Sequence, residues 1–158
     1  MLKKVCIAVD HWLSEENPLR EQNGTPLLKC EIHIIGQTAL LEAHLGIRLT
    51  ATMDVDLHRQ LHGVIREKLD ALLAAYGKKI DPVGHEAWMP KETQYNTLYK
   101  GKYVSCFIAQ PEYVLISKAK IARAKDRNLM IEYLGTQPTP LFFELAEKYG
   151  INIEDFLK

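Results

Sequence analysis

Two aspartates, Asp54 and Asp56, stand one residue apart in "RLTATMDVDLH". The segment alternates, with Met53, Val55 and Leu57 on one side and Thr52, Asp54 and Asp56 on the other, which is the period-two pattern of a half-buried strand. On a strand, residues i and i+2 point to the same face with Cα atoms roughly 6.5–7 Å apart, so the two carboxylates converge. Carboxylates about 4 Å apart repel by roughly 4 kcal/mol at an effective dielectric of ~20, unless a proton or a cation sits between them. Hard oxygen ligands select magnesium or manganese, and such ions activate an attacking hydroxyl and stabilise a phosphate leaving group.

The elements that must position this pair lie just upstream. "KCEIHIIG" is β-branched and apolar and reads as a strand ended by Gly36. In "QTALLEAHLG", Thr38 is the expected N-cap, apolar residues recur at helical spacing, and Gly46 is the expected stop. A turn at the start of such a helix exposes unpaired N–H groups that can hold phosphates beside metal-binding carboxylates.

With both halves present, "GQTALLEAHLGIRLTATMDVDL" resembles the signature of minimal bacterial nucleotidyltransferases and of the abortive-infection toxin type, in which a Gly-Gly or Gly-Ser turn and a short helix precede an Asp-x-Asp strand. Downstream, "EAWMP" and "PEYVLISKAKIARAKDRNLMIEYL" are similar to an uncharacterised group of that superfamily, where a Trp-Leu-Pro step precedes a strand and then a helix with a lysine and a Lys-Asp pair. By that resemblance, Gly36 forms the phosphate turn with Gln37 and Thr38, Asp54 and Asp56 bind metal, and Lys118, Lys125 and Asp126 match the helix motif. It also implies a nucleoside triphosphate as substrate, Mg2+ or Mn2+ as cofactor and a protein or RNA hydroxyl as acceptor; a toxin role rests on the same likeness. Two positions depart from the pattern. Gln37 stands where the family has a second Gly or Ser, so its side chain must swing away or donate a hydrogen bond. Leu129 stands where the group commonly has Asp.

A third carboxylate commonly completes such a site. Glu86, just before "AWMP", is the first choice if its strand runs beside the Asp-x-Asp strand; Asp81 is the competitor, although Pro82 marks it as a turn residue. Arg48, between the short helix and the Asp-x-Asp strand, is in reach of a triphosphate. Lys118 and Lys125, seven apart, roughly share a helix face. His58 and His62 have the i, i+4 spacing of helical zinc ligands but lack a third partner, and Cys30-x-x-His33 lies on a strand where those side chains diverge.

The whole chain supports an enzyme-sized single domain. Its 158 residues fit one core, with a sheet-containing part over about 28–110 and a helical tail over about 111–158. The expected class is α/β in the broad sense (α+β), a small mixed sheet of the nucleotidyltransferase type with flanking helices. At 47% hydrophobic and 25% charged residues, neither disorder nor a membrane solution is favoured. The start "MLKKVCIAVDHW" lacks the pattern of a secretory signal, so the cytoplasm is the expected compartment. Cys6, Cys30 and Cys106 are expected as reduced thiols. Twenty basic and twenty acidic residues cancel, leaving "KAKIARAKDR" as the best basic patch for a third reading, an RNA-binding module. A non-catalytic protein of the same fold that binds nucleotide or a partner chain is the reading that Gln37 favours.

The pattern further predicts helices over residues 2–13, about 59–77, 111–124, 126–134 and 138–149, a strand in "KYVSCFIAQ", an extended "KKIDPVGHEAWM" and a loop from Pro90 through "KETQYN".

Overall fold

The computed structural model describes residues 1–157. A mixed five-stranded sheet in the order β3-β2-β1-β5-β4 carries the fold, built from β1 (Cys30–Ile35), β2 (Asp54–Leu57), β3 (Lys79–Ile80), β4 (Tyr95–Lys100) and β5 (Val104–Ala109). The helices are α1 (Leu2–Gln22), α2 (Gly36–Glu42), α3 (Gly63–Ala74), α4 (Pro111–Ile121), α5 (Ala124–Leu134) and α6 (Pro140–Lys148). This is the mixed α/β class that the residue pattern indicates. Among the described residues no helix is long and apolar enough to cross a membrane.

Register sorts the side chains onto two faces, because laterally paired residues share one. Ile34 pairs with Leu57 and Ile35 with Asp56. Ile32 and Ile34 pair with Cys106 and Ile108, and Glu31 and His33 with Ser105 and Phe107. One face therefore carries Ile32, Ile34, Val55, Leu57, Val104, Cys106 and Ile108, all buried. The other carries Asp54 and Asp56 together with Glu31, His33, Ser105 and Phe107. Helix α1 lies over the apolar face through Leu2, Val5, Cys6, Val9 and Leu13, spaced three or four apart, and the Cys6 and Cys106 thiols are hydrogen-bonded there. All three cysteines are free, and burial pushes the Cys30 thiol up to about 12, so they behave as packing groups.

Helix α1 runs past the expected end at residue 13 and passes through Pro18, which forfeits one backbone hydrogen bond. Asn17 offsets that loss: buried, it donates to the Leu28 carbonyl (3.0 Å) and accepts from the Leu28 N–H (2.9 Å). Asp10 fastens the same helix to the sheet. Its carboxylate accepts from Tyr99 Oη (2.8 Å) and from the N–H groups of Lys102 (3.3 Å), Tyr103 (2.7 Å) and Val104 (3.0 Å).

Strand β4 occupies part of the segment expected as a loop. Its polar "YNTLYK" pairs with β5 as an edge strand, where burial is partial and polar side chains are tolerated. The expected helices of the C-terminal part are present, with a 3-10 turn at Ile153–Phe156.

Candidate functional site

Asp54 and Asp56 share one face of β2, as the burial alternation along the strand shows. The strand is shorter than the alternating sequence, since residues 50–53 lie in the preceding loop and Met53 is 67% exposed. Asp54 is 46% exposed and faces Lys79 at 4.0 Å.

Asp56 is the more enclosed of the two. Gly36 approaches it so closely that a Cβ there would collide with its carboxylate, and Gly36 holds φ +71, a conformation other residues rarely adopt. From the other side, a Cβ on Gly84 would lie 3.0 Å from the Asp56 Cα. The Asp56 carboxyl is pushed up to about 6, first by burial and then by the charge of Asp81 and a hydrogen bond between the two side chains; Asp54 adds to the shift and Lys118 opposes it.

Of the two candidate third carboxylates, it is Asp81 that lies beside Asp56. Parallel pairing of Asp54 with Lys79 and of Val55 with Ile80 brings residue 81 beside residue 56. Glu86 lies instead on an exposed 3-10 turn, Gly84–Glu86, because the extended segment stops after two residues. The Asp-Pro turn is real as well: the Asp81 Oδ1 accepts from the Val83 N–H at 3.0 Å. The turn residue is thus also the carboxylate nearest Asp56.

Thr38 does not cap α2. The cap position is Ile35, and the buried Thr38 hydroxyl donates to the Asp54 carbonyl at 3.0 Å, pinning α2 to β2. Helix α2 is also shorter than expected, ending at Glu42, with His44 at φ 52 just beyond. Gln37 turns its amide aside and donates to the Thr50 carbonyl at 3.0 Å, which ties the loop after α2 to the start of the helix.

A cleft of about 410 Å3 opens here, and Gln37, Arg48, Thr52, Lys118, Lys125 and Asp126 are among its walls. Lys118 and Lys125 do not share a helix face as their spacing implied. The helix breaks at Ala122, φ 54, so Lys118 lies in the last turn of α4 and Lys125 in the first turn of α5, yet both border the same cleft. Lys118 is buried, which lowers its ammonium below the ordinary lysine range, while Asp126 (3.7 Å) and Asp56 pull it back up. Asp126, only 2% exposed, also accepts from Arg123 Nε at 2.9 Å and from the Arg123 N–H at 3.3 Å, capping α5.

The residue pattern gave no sign of the glycine at position 84 or of the bond from Gln37 to Thr50. Gly84 sits in "DPVGHE", where a glycine reads as part of a turn. His58 and His62 are not helical ligands: His62 caps α3 by accepting from the Val64 N–H, and His58 Nδ1 lies 2.6 Å from Tyr95 Oη.

Asp56 and Asp81 lie side by side, with Asp54 on the same face of β2 as Asp56 and facing Lys79. Among the described residues no three His, Cys, Asp or Glu side chains are gathered closely enough to hold a metal ion, so any cation there would have to draw these carboxylates together. Comparison with protein-family models, with curated proteins and with solved structures finds no match for this chain.

Proposed function

We propose that the chain is a metal-dependent nucleotidyltransferase, which moves a nucleotidyl group from a nucleoside triphosphate to a hydroxyl on protein or RNA. The observation that carries this reading is Asp56 held between two glycines with the Asp81 carboxylate beside it, next to a cleft bordered by Lys118 and Lys125. Asp54 and Asp56, with Asp81 drawn in from beside Asp56, would hold magnesium or manganese, since no three-ligand group is preformed among the described residues. The bound ion supplies neutralisation of phosphate charge and a lowered pKa for the attacking hydroxyl.

Each side chain has a definable part. Lys118, kept beside the carboxylates by its pairing with Asp126, is placed to attract the triphosphate, and the exposed Arg48 and Lys125 extend that attraction to the mouth of the cleft. Gln37 steadies the loop that carries Arg48 by its bond to Thr50. The acceptor oxygen bonds to the α-phosphorus as the α–β bridging bond breaks and pyrophosphate leaves; the hydroxyl proton passes to the Asp81 carboxylate.

The test is transfer of label from an α-labelled nucleoside triphosphate onto RNA or protein, with Mg2+ or Mn2+ and with chelator. Label that moves only with metal, and not with Asp56→Asn, is the expected result. Nucleotide binding by titration calorimetry with no label moved in any mixture would overturn the transferase in favour of a non-catalytic nucleotide-binding protein.

A further inference from the structure

A second pocket, of about 530 Å3, lies at the other end of β1 from Gly36. Lys29, Arg59 and Lys102 border it, with Glu31 as the one opposing carboxylate, paired to Arg59 at 3.6 Å. The three cations come from three separate parts of the chain: the approach to β1, the end of β2 and the turn between β4 and β5. Tyr103, half-buried, forms part of the wall with Lys102 over its ring at 5.2 Å.

The sheet face next to this pocket is aromatic. His33 and Phe107, paired across β1 and β5, stack at 5.0 Å, and Tyr95 meets His33 edge-on at 4.8 Å. Tyr95, Phe107 and His58 are each only partly buried. Asp54 and Asp56 lie on that face of β2, which ends at Leu57; His58 and Arg59 follow in a bend, so the pocket's rim begins three residues along the chain from Asp56. Basic residues around half-exposed aromatic rings on one sheet face suit a single nucleic-acid strand, whose phosphates pair with cations and whose bases stack on rings.

We propose that this pocket and sheet face bind single-stranded nucleic acid, with Lys29, Arg59 and Lys102 on the phosphodiester chain and Tyr103 against a base. Naming that strand as the acceptor rests on the transferase reading; binding itself does not. An acidic peptide would use the cations and leave the rings idle, which makes it the poorer fit.

Fluorescence anisotropy of a short labelled single strand, without nucleoside triphosphate or metal, tests the inference at roughly 50 and 200 mM salt. The strand should bind the wild-type chain and lose affinity as salt rises. The triple variant Lys29→Gln, Arg59→Gln, Lys102→Gln should bind roughly tenfold more weakly, with a log–log salt slope shallower by about 2. Glu31→Gln should bind more tightly, and Tyr103→Leu more weakly with the slope unchanged. If circular dichroism shows the triple variant unfolded, Arg59→Gln and Glu31→Gln, shifting affinity in opposite directions, decide the matter. No binding at low salt, equal binding by folded wild type and triple variant, or an acidic peptide bound as tightly as the strand would each overturn the proposal. Strand binding without nucleotidyl transfer would sustain this inference and sink the transferase; transfer to protein without strand binding would do the reverse.

Discussion

Asp56 and Asp81 lie side by side, Asp81 following directly on the strand that pairs in parallel with β2, and burial together with Asp81 pushes the Asp56 carboxyl up to about 6. If nucleotidyl transfer uses this pair, Asp54→Asn, Asp56→Asn and Asp81→Asn should each abolish it, while Glu86→Gln should leave it near wild type. Label transfer from an α-labelled nucleoside triphosphate measures this. Full activity in Asp81→Asn with loss in Glu86→Gln would restore Glu86 as the third carboxylate.

The same pair makes stability depend on pH. The folded Asp56 carboxyl titrates at about 6 against a reference of 3.8, so between these values the folded chain binds more protons than the unfolded one. Without metal, the contribution of this group should therefore fall as pH rises from about 4 to about 6 and stay low above that. Asp56→Asn should remove this slope and raise the melting temperature at pH 7, and Mg2+ should raise the wild-type melting temperature at pH 7 but not that of the variant. Calorimetric scans across pH, with and without Mg2+, give the answer.

Gly36 and Gly46 offer a controlled comparison, since both have positive φ but only Gly36 has the Asp56 carboxylate where a side chain would go. Gly46→Ala should cost about 1–2 kcal/mol from backbone strain alone. Gly36→Ala should cost more in urea unfolding and also eliminate transfer, because Asp56 must shift.

Gln37→Leu removes the donor to Thr50 while keeping bulk at the turn. Steady-state kinetics should show KM for the nucleoside triphosphate rising several-fold with kcat little changed, as expected when a binding loop loosens. A fall in KM would mean that the amide obstructs the cleft instead of supporting its wall.

Asp10→Ala deletes a carboxylate that accepts four hydrogen bonds. Its pKa lies below the ordinary range: burial pushes upward, but the bonds from Tyr103, Tyr99, Val104 and Lys102 together outweigh it. The variant should lose about 2 kcal/mol in chemical denaturation, mostly by leaving the part-buried donors of Tyr99, Tyr103 and Val104 unsatisfied. Because the folded pKa is depressed, the wild type's advantage should be present above pH 4 and fade as the carboxylate protonates in acid.

How far the sequence could be read depended on range. Alternation around Asp54 and Asp56, the apolar run before Gly36 and the helical periodicity after Pro111 are local patterns, and each element they announced is present. Arg48, Lys118 and Lys125 were singled out separately and line one cleft. What escaped notice needs tertiary knowledge. That Asp81 rather than Glu86 lies beside Asp56 follows from two residues of parallel pairing in β3, too few to leave a periodicity. Edge strand β4 hid behind polar residues that a central strand would exclude. Asn17 carried α1 through a proline because of hydrogen bonds to Leu28, eleven positions away.

The sheet's strand order also dictates how the molecule comes into being on the ribosome. Strands β1 and β2, with α2 between them, are neighbours in both sequence and space, so the Asp-x-Asp hairpin is complete early in synthesis. The other edge of β1 waits for β5, whose pairing of Cys30 with Val104 closes a loop of more than seventy residues, and Lys118 emerges later still. A nascent chain halted before β5 exposes an unpaired apolar strand edge beside uncompensated carboxylates, the kind of species that chaperones retain.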